Sequence, residues 1–462
     1  MKPGNWGKFA GLAFVLALLL TGLVQIQDIV HDRQSQQRTA ISSVASSLAG
    51  PQALLGPIIH RSCVEEWDIK PDANAATGRR EFRQIALPSN LTIDADSALE
   101  ARKRGPYTAQ AFNMTAKLNA QWPDLDALRP ERKTPGSRLT CGSASVMVAM
   151  SDARGIRNAV LKVNSILTPT RAGTDYPPYP RGIRAALPAS VDLAAPMAVQ
   201  IDLEIVGTEQ VAVVPVAAAT LFKLSSNWPH PSFGGDFLPV DRTITMKGFA
   251  AQWRVSSLAS SAQQDVALGR VLCTNSNPAQ TSSEASGGTR SAECLETVSV
   301  AFIDPVNTYV LSDRATKYGV LFIALTFVAV GLFEFMCALR VHPIQYLLVG
   351  AAISLFFLLL LSLSEHLPFS IAYAAAGSAC VLLLGYYASY MLHSWRRGLP
   401  FGLGMATLYG LLYLLLQLEQ TALIVGSLAL FALLALIMTL TRRVDWYARL
   451  RLPQADLPQQ PA

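Results

Sequence analysis

Two rhythms of hydrophobic and polar positions divide this chain. One apolar run, residues 9–26 (FAGLAFVLALLLTGLVQI), lies at the start, and five more lie at 318–339, 346–364, 369–392, 401–418 and 421–440. Each is close to the length that spans a bilayer core as a helix. Short polar connectors (RVHP, SEHLP, HSWRRGLP, EQ) separate the last five, and the two-residue EQ predicts a tight antiparallel hairpin. Between the first run and the rest, the period drops to two. Val199, Ile201, Leu203 and Ile205 alternate with Gln200, Asp202 and Glu204. Phe112 to Leu118, Phe249 to Val255 and Val298 to Phe302 repeat the pattern, which is that of half-buried strands. Turn residues collect at TPGSR, DYPPYPRG and SGGTRS. The region reads as about eight to ten strands with little helix, an antiparallel sandwich. One stretch departs from it: in RQSQQRTAISSVASSLAGP, Ile41, Val44 and Leu48 fall at helical spacing before Gly50-Pro51.

The predicted fold is a membrane protein with six transmembrane α-helices and a large β-rich, sandwich-like periplasmic domain between helices 1 and 2. Its parts are a cytoplasmic N-terminus (1–8), a transmembrane signal anchor (9–27) and a stalk helix (28–50). A periplasmic β-rich domain (51–314), a five-helix transmembrane bundle (315–441) and a cytoplasmic tail (442–462) follow. Residues 9–26 are read as an uncleaved anchor because VQIQDIVHDR offers no small-residue cleavage site.

Charge sharpens this picture. Lys2, Lys8, Arg340, Arg396, Arg397, Arg442, Arg443, Arg449 and Arg451 all fall on one side of the predicted spans. The opposite short loops carry Glu365 and Glu419. Basic residues stay cytoplasmic, so both termini are expected there and the large domain outside. The net charge of +6 therefore reports topology, and no Lys/Arg stripe interleaved with aromatics suggests nucleic acid.

Of six cysteines, Cys63, Cys141, Cys273 and Cys294 lie in the exterior region, where four cysteines allow three pairings. Cys273 and Cys294 flank a Ser/Gly-rich loop that a bridge would close, and they form the candidate disulfide. No C-x-x-C spacing points to redox chemistry.

Several odd motifs, SNWPHPSFGGDFLP (226–239), LSDRATKYGVLFIALTF, VHPIQYLLVG, LSLSEH and VDWY, together resemble the CreD family of Gram-negative inner-membrane proteins. GPQALLGPII and SDARGI fit the same pattern, and the resemblance runs from the first span to Tyr447. It implies a role in cell-envelope integrity and the envelope-stress response, without a catalytic mechanism. The segment from Cys273 to Cys294 looks like an insertion relative to that family.

Candidate sites follow from residue type and place. In the 226–239 motif, Trp228, His230, Phe233 and Asp236 form a candidate partner or ligand loop on a proline-stiffened frame. Its alternative is a structural corner between sheets, with Trp228 and Phe237 inward and Gly234-Gly235 supplying unusual dihedrals. Asp313, Arg314 and Lys317 stand where the exterior region meets the second span, with Asp313 expected as a helix N-cap. Asp152 and Arg154 of SDARGI are expected to pair with that joint, Asp152 with Arg314 in particular. Glu334, His342, Glu365 and His366 are candidate polar groups at the membrane interface, Glu334 pairing with Arg340 or His342 or joining a buried polar contact. Gly402, Ala406 and Gly410 make a small-residue row suited to close helix packing or to a homo-oligomer.

No Walker loop, H-E-x-x-H, G-x-S-x-G or dinucleotide fingerprint is present. The chain is expected to be non-enzymatic, with no catalytic residues, metal or cofactor. Expected partners are membrane lipids and another envelope protein or a cell-wall component. A small lipid or solute transporter needs a cavity lined by Glu334, and a membrane enzyme needs two close carboxylates or a histidine with a nucleophile.

Overall fold

The computed structural model describes residues 3–68, 77–188, 192–274, 294–302, 308–336, 341–391, 395–418 and 422–442. Helix α1 (Pro3–Ser47) runs unbroken for 45 residues. That is about 68 Å at 1.5 Å per residue, more than twice a hydrocarbon core of ~30 Å. Proline occurs only where a helix tolerates it, at its first residue, and then beyond its end at Pro51. The chain forms two compact units, Met1–Gln34 with Val306–Ala462, and Ser35–Pro305. Helix α1 contributes to both.

The Ser35–Pro305 unit is built of strands. In chain order they begin β1 (Gln52–Asp68), β2 (Thr77–Ala86), β3 (Asn90–Arg104), β4 (Tyr107–Trp122), β5 (Arg138–Cys141) and β6 (Ser145–Met150). Next come β7 (Ile156–Val163), β8 (Ile166–Thr168), β9 (Arg171–Ala172), β10 (Gly182–Ala186), β11 (Met197–Thr208) and β12 (Gln210–Val213). Last are β13 (Ala219–Ser226), β14 (Pro231–Gly235), β15 (Asp241–Thr245), β16 (Gly248–Ser256) and β17 (Val298–Phe302), with a short α2 (Ala262–Ala267) before β17. One sheet runs β14-β17-β12-β1-β6-β10-β9, with β2 and β5 also on β1; the other runs β15-β16-β13-β3-β4-β11-β7-β8. Ile201, Leu203 and Ile205 stand opposite Leu118, Ala116 and Met114, so the period-two pattern places them on one face. They join Leu55, Ile58 and Val148 of the other sheet in a single core, which makes a sandwich.

The described residues hold more strands than the eight to ten expected, and two pairings, β1 with β12 and β3 with β13, are parallel. The excess has a physical cause. The start of β1 and all of β6 are buried at every position, so they show no alternation. β5, β8 and β9 span only a few residues each.

The other unit is helical: α3 (Thr308–Lys317), α4 (Gly319–Met336), α5 (Pro343–Ser364), α6 (Phe369–Met391), α7 (Trp395–Gln417) and α8 (Ala422–Thr441). Among the described residues four helices are long and apolar enough to cross a membrane, or five if α3 and α4, bent by 43°, count as one span. The sixth expected span corresponds to α8, whose described apolar part, Ile424–Thr439, is shorter. On α1, Val15, Leu19, Leu23 and Ile26 recur every three or four residues and are buried in the core of this unit. A Cβ on Gly350 would come within 2.1 Å of Leu19 Cδ1, so a glycine lets α1 and α5 approach.

Candidate functional site

The SDARG motif occupies the turn between β6 and β7, and it holds the end of α1. Asp152 opens a short 3-10 turn, accepting from the Arg154 amide at 3.1 Å. Its two oxygens also take the Arg154 Nε and Nη2, the latter at 2.6 Å. A further bond comes from the Gly50 amide at 3.2 Å. The Arg154 Nη1 donates to the Ser46 carbonyl, one of the orphan acceptors that every helix leaves at its C-terminus. The Arg154 guanidinium holds the Asp152 carboxyl down at about 2, helped by the Gly50 amide and opposed by burial.

Gln52 completes the clamp. Its amide nitrogen donates to the Asp152 carbonyl at 3.2 Å and faces the Gly50 and Val206 carbonyls at 3.4 Å. Thr208, fully buried, donates through its hydroxyl to the Ala49 carbonyl at 3.2 Å. Gly155 is required by this packing, because a Cβ there would stand 2.3 Å from the Val206 oxygen and 2.6 Å from Gln52 Nε2.

Beside the clamp lies a cleft of about 780 Å³ whose lining includes Ser151, Asp152, Arg154, Arg181, Leu272 and Cys273. Arg181 donates to the Ser151 carbonyl at 3.1 Å. The Ser151 hydroxyl accepts from the Ala53 amide and donates to the Pro51 carbonyl, so it is committed to the backbone rather than poised as a nucleophile. The cleft is cationic and can hold an anionic group, but its charged side chains already carry structural bonds.

Asp152 and Arg154 thus satisfy each other and the stalk. Asp313 departs from expectation. Helix α3 starts at Thr308, so Asp313 sits inside it and bonds Lys317 one turn on, at 2.7 Å, instead of capping an N-terminus. Arg314 lies in the last turn of α3.

The 226–239 motif carries the chain from one sheet to the other and back. β13 belongs to the eight-stranded sheet, β14 to the nine-stranded one, and β15 returns to the first. Trp228 packs on the sandwich core and donates its Nε1 to the His230 carbonyl at 3.0 Å. Phe233 meets Phe249 and Trp253 edge-on, with ring centroids 5.7 and 5.8 Å apart. Asp236 exchanges two bonds with the Thr297 backbone, at 2.7 and 2.8 Å. Gly235 has φ 83°, and a Cβ there would reach within 2.2 Å of the Thr297 oxygen. His230 is exposed. So are Leu238 (69%), Val240 (61%), Ile244 (50%) and Met246 (88%), which flank or belong to the edge strand β15.

In the helical unit, Glu334 accepts from the Tyr346 hydroxyl at 2.9 Å and the Val341 amide at 3.3 Å. His342 caps α5: its ring accepts from the Ile344 amide while Gln345 reciprocates. Glu365 forms an ion pair with Arg33 of α1 at 3.5 Å, and His366 is exposed beside it. Arg340 and Glu419 lie outside the described residues.

Among the described residues two disulfides are formed, Cys63–Cys141 and Cys273–Cys294. A buried carboxylate escaped the sequence reading. Glu65, wholly enclosed, bonds the Thr134 amide, the Ser137 hydroxyl and Arg80 at 2.9, 2.7 and 2.9 Å. Its signal was register, since Glu65 shares the inward face of β1 with Cys63. Three histidine rings are hydrogen-bonded among the described residues (His31, His60, His342), each to backbone. No three His, Cys, Asp or Glu side chains among those residues converge as metal ligands.

The sequence matches the family described as Inner membrane protein CreD over residues 5–447. It is 34% identical over 452 residues to "Inner membrane protein CreD" of Escherichia coli (strain K12), covering 97% of this chain and 95% of that protein. With a multi-helix apolar unit, a β-rich unit and a match across nearly its whole length, the chain belongs to the CreD family of inner membrane proteins.

Proposed function

We propose that this protein is a non-enzymatic inner-membrane component supporting envelope integrity and the envelope-stress response, and that its β-rich unit binds an envelope component in the periplasm. The carrying observation is the apolar edge at the 226–246 corner. Leu238, Val240, Ile244 and Met246 expose half or more of their surface along β15. β15 is an edge strand that carries Asp241 and Arg242, and exposed apolar side chains flank it on both sides; an open edge is a place for a partner strand to pair, and strand addition is a common mode of recognition. The rigid corner beneath it lowers the ordering cost of binding.

Six crossings, counting α3 with α4 and including α8, support placing both termini in the cytoplasm. The basic residues 2, 8, 340, 396, 397, 442 and 443 then share one side, as the positive-inside bias requires.

The test is envelope permeability in a strain lacking the gene. The full chain should restore the barrier, and the full chain carrying Ile244→Lys and Met246→Asp, inserted at normal level, should not. Restoration by that double variant would sink the proposed edge. In the same cells a cysteine at position 246 should react with a membrane-impermeant maleimide in intact spheroplasts; labelling only after lysis would reverse the topology.

A further inference from the structure

The helical unit contains a groove that the proposed function does not use. It measures about 630 Å³ and opens between α1, α5 and α6, with Ile29, Leu355, Leu359, Ala379, Cys380 and Leu383 among its walls. Nearly all its lining is apolar; its charged members are Arg33 and Glu365 at one end. Their side chains are 41% and 17% exposed, and Nε stands 3.5 Å from Oε1. Such a separation is long for a charge-assisted hydrogen bond, which favours ~2.8 Å. The groove follows α5 from Ala352 to Glu365. The thirteen helical steps between them cover about 20 Å, somewhat more than one leaflet, or half of a ~30 Å hydrocarbon core.

We infer that this groove is a binding site for one phospholipid with a zwitterionic phosphoethanolamine headgroup. The occupant follows from charge and length together. An acyl chain fills the apolar trough over the depth of its leaflet. At the mouth, the lipid phosphate meets the Arg33 guanidinium, a bidentate fit, and the lipid ammonium meets the Glu365 carboxylate. The loose protein ion pair is replaced by two charge-assisted contacts. An anionic headgroup without the ammonium would place its phosphate beside Glu365 uncompensated, and a lone cation would do the same at Arg33.

The experiment uses the full chain reconstituted in nanodiscs of equimolar phosphatidylethanolamine and phosphatidylglycerol with identical acyl chains. Lipid retained after transfer to detergent is then counted by native mass spectrometry. The wild-type protein should retain phosphatidylethanolamine over phosphatidylglycerol by roughly fivefold, the size two partly exposed ion pairs can supply. Glu365→Gln should abolish or invert that preference while lipid is still retained, because the carboxylate that pairs with the lipid ammonium is then gone. Ala379→Trp, at an exposed groove wall outside the helical core, should lose the retained lipid of both kinds. Retention in the bulk ratio by the wild type would overturn the inference without recourse to any variant. So would an unchanged preference in Glu365→Gln, or full retention in Ala379→Trp at normal elution volume.

Discussion

At the scale of single residues, the groups that matter most are those whose burial forces a particular charge state. Burial pushes the His60 ring below the usual histidine range, while hydrogen bonds hold Glu65 and Asp152 below theirs, Asp152 at about 2. In all three cases the unfolded chain binds protons more readily than the folded one, so stability must fall as pH falls. Between ~7.5 and ~9 the β-rich unit should be insensitive to pH; on acidification it should lose stability first as the unfolded histidine begins to protonate, and lose more below ~4. The Asp152 contribution is fully lost only as pH falls to about 2. His60→Gln should erase the first phase of a denaturant-midpoint profile and leave the second; a profile that keeps both phases would refute the assignment. Gly155→Ala offers a cleaner steric test. Its methyl would meet the Val206 oxygen and Gln52, fixed members of the clamp, and should cost about 1–3 kcal/mol. The motif itself was plain in the sequence, but its role was not. Asp152 and Arg154 looked available for a distant partner because nothing in the order of residues shows that the helix ending at Ser47 stops beside them.

At the scale of elements, legibility tracked how each element divides its faces. Strands with one wet face, β4, β11 and β16, declared themselves by alternation. β6, buried throughout, and the two-residue β9 did not. The corner at 226–239 announced its stiffness through its prolines, yet only the sheet order reveals that it crosses between sheets. Helix starts were misjudged where apolar content was the guide: α3 begins at Thr308, before the apolar run, which moved Asp313 from a cap to a helix interior. Disulfide pairing was open among three choices until β1 and β5 were seen side by side, with Cys63 directly opposite Cys141. That bridge spans 78 residues and the other 21. Closing the longer loop restricts the unfolded chain more, so Cys63→Ser with Cys141→Ser should cost about 2–4 kcal/mol, and the shorter bridge somewhat less. Melting of the two double variants, with bridges verified by mass after alkylation without reduction, decides the order; equal or reversed losses would contradict it.

At the scale of the whole molecule, the division into two units carries a thermodynamic consequence. Each has its own hydrophobic core: one is drawn from both sheets, the other from α1 and from α3 to α7. The solvents that drive them differ. The sandwich buries Trp122 and Trp253 by excluding water, which urea weakens directly. The helices owe their secondary structure to the bilayer or detergent, where each backbone group must be paired within its own segment. Urea should therefore unfold the protein in two steps, and a single two-state free energy should fail to describe it. Tryptophan emission, dominated by the sandwich, should shift at low urea while most helical ellipticity persists to higher concentration. Helix α1 belongs to both units, so its stalk residues should follow the first step and its apolar residues the second. Hydrogen exchange along α1 reads this directly: amides from Thr39 to Ser47 should lose protection with the tryptophan transition, and those from Val15 to Ile26 should keep it. Coincident transitions by all probes, or uniform protection along α1, would mean that the two units fold as one.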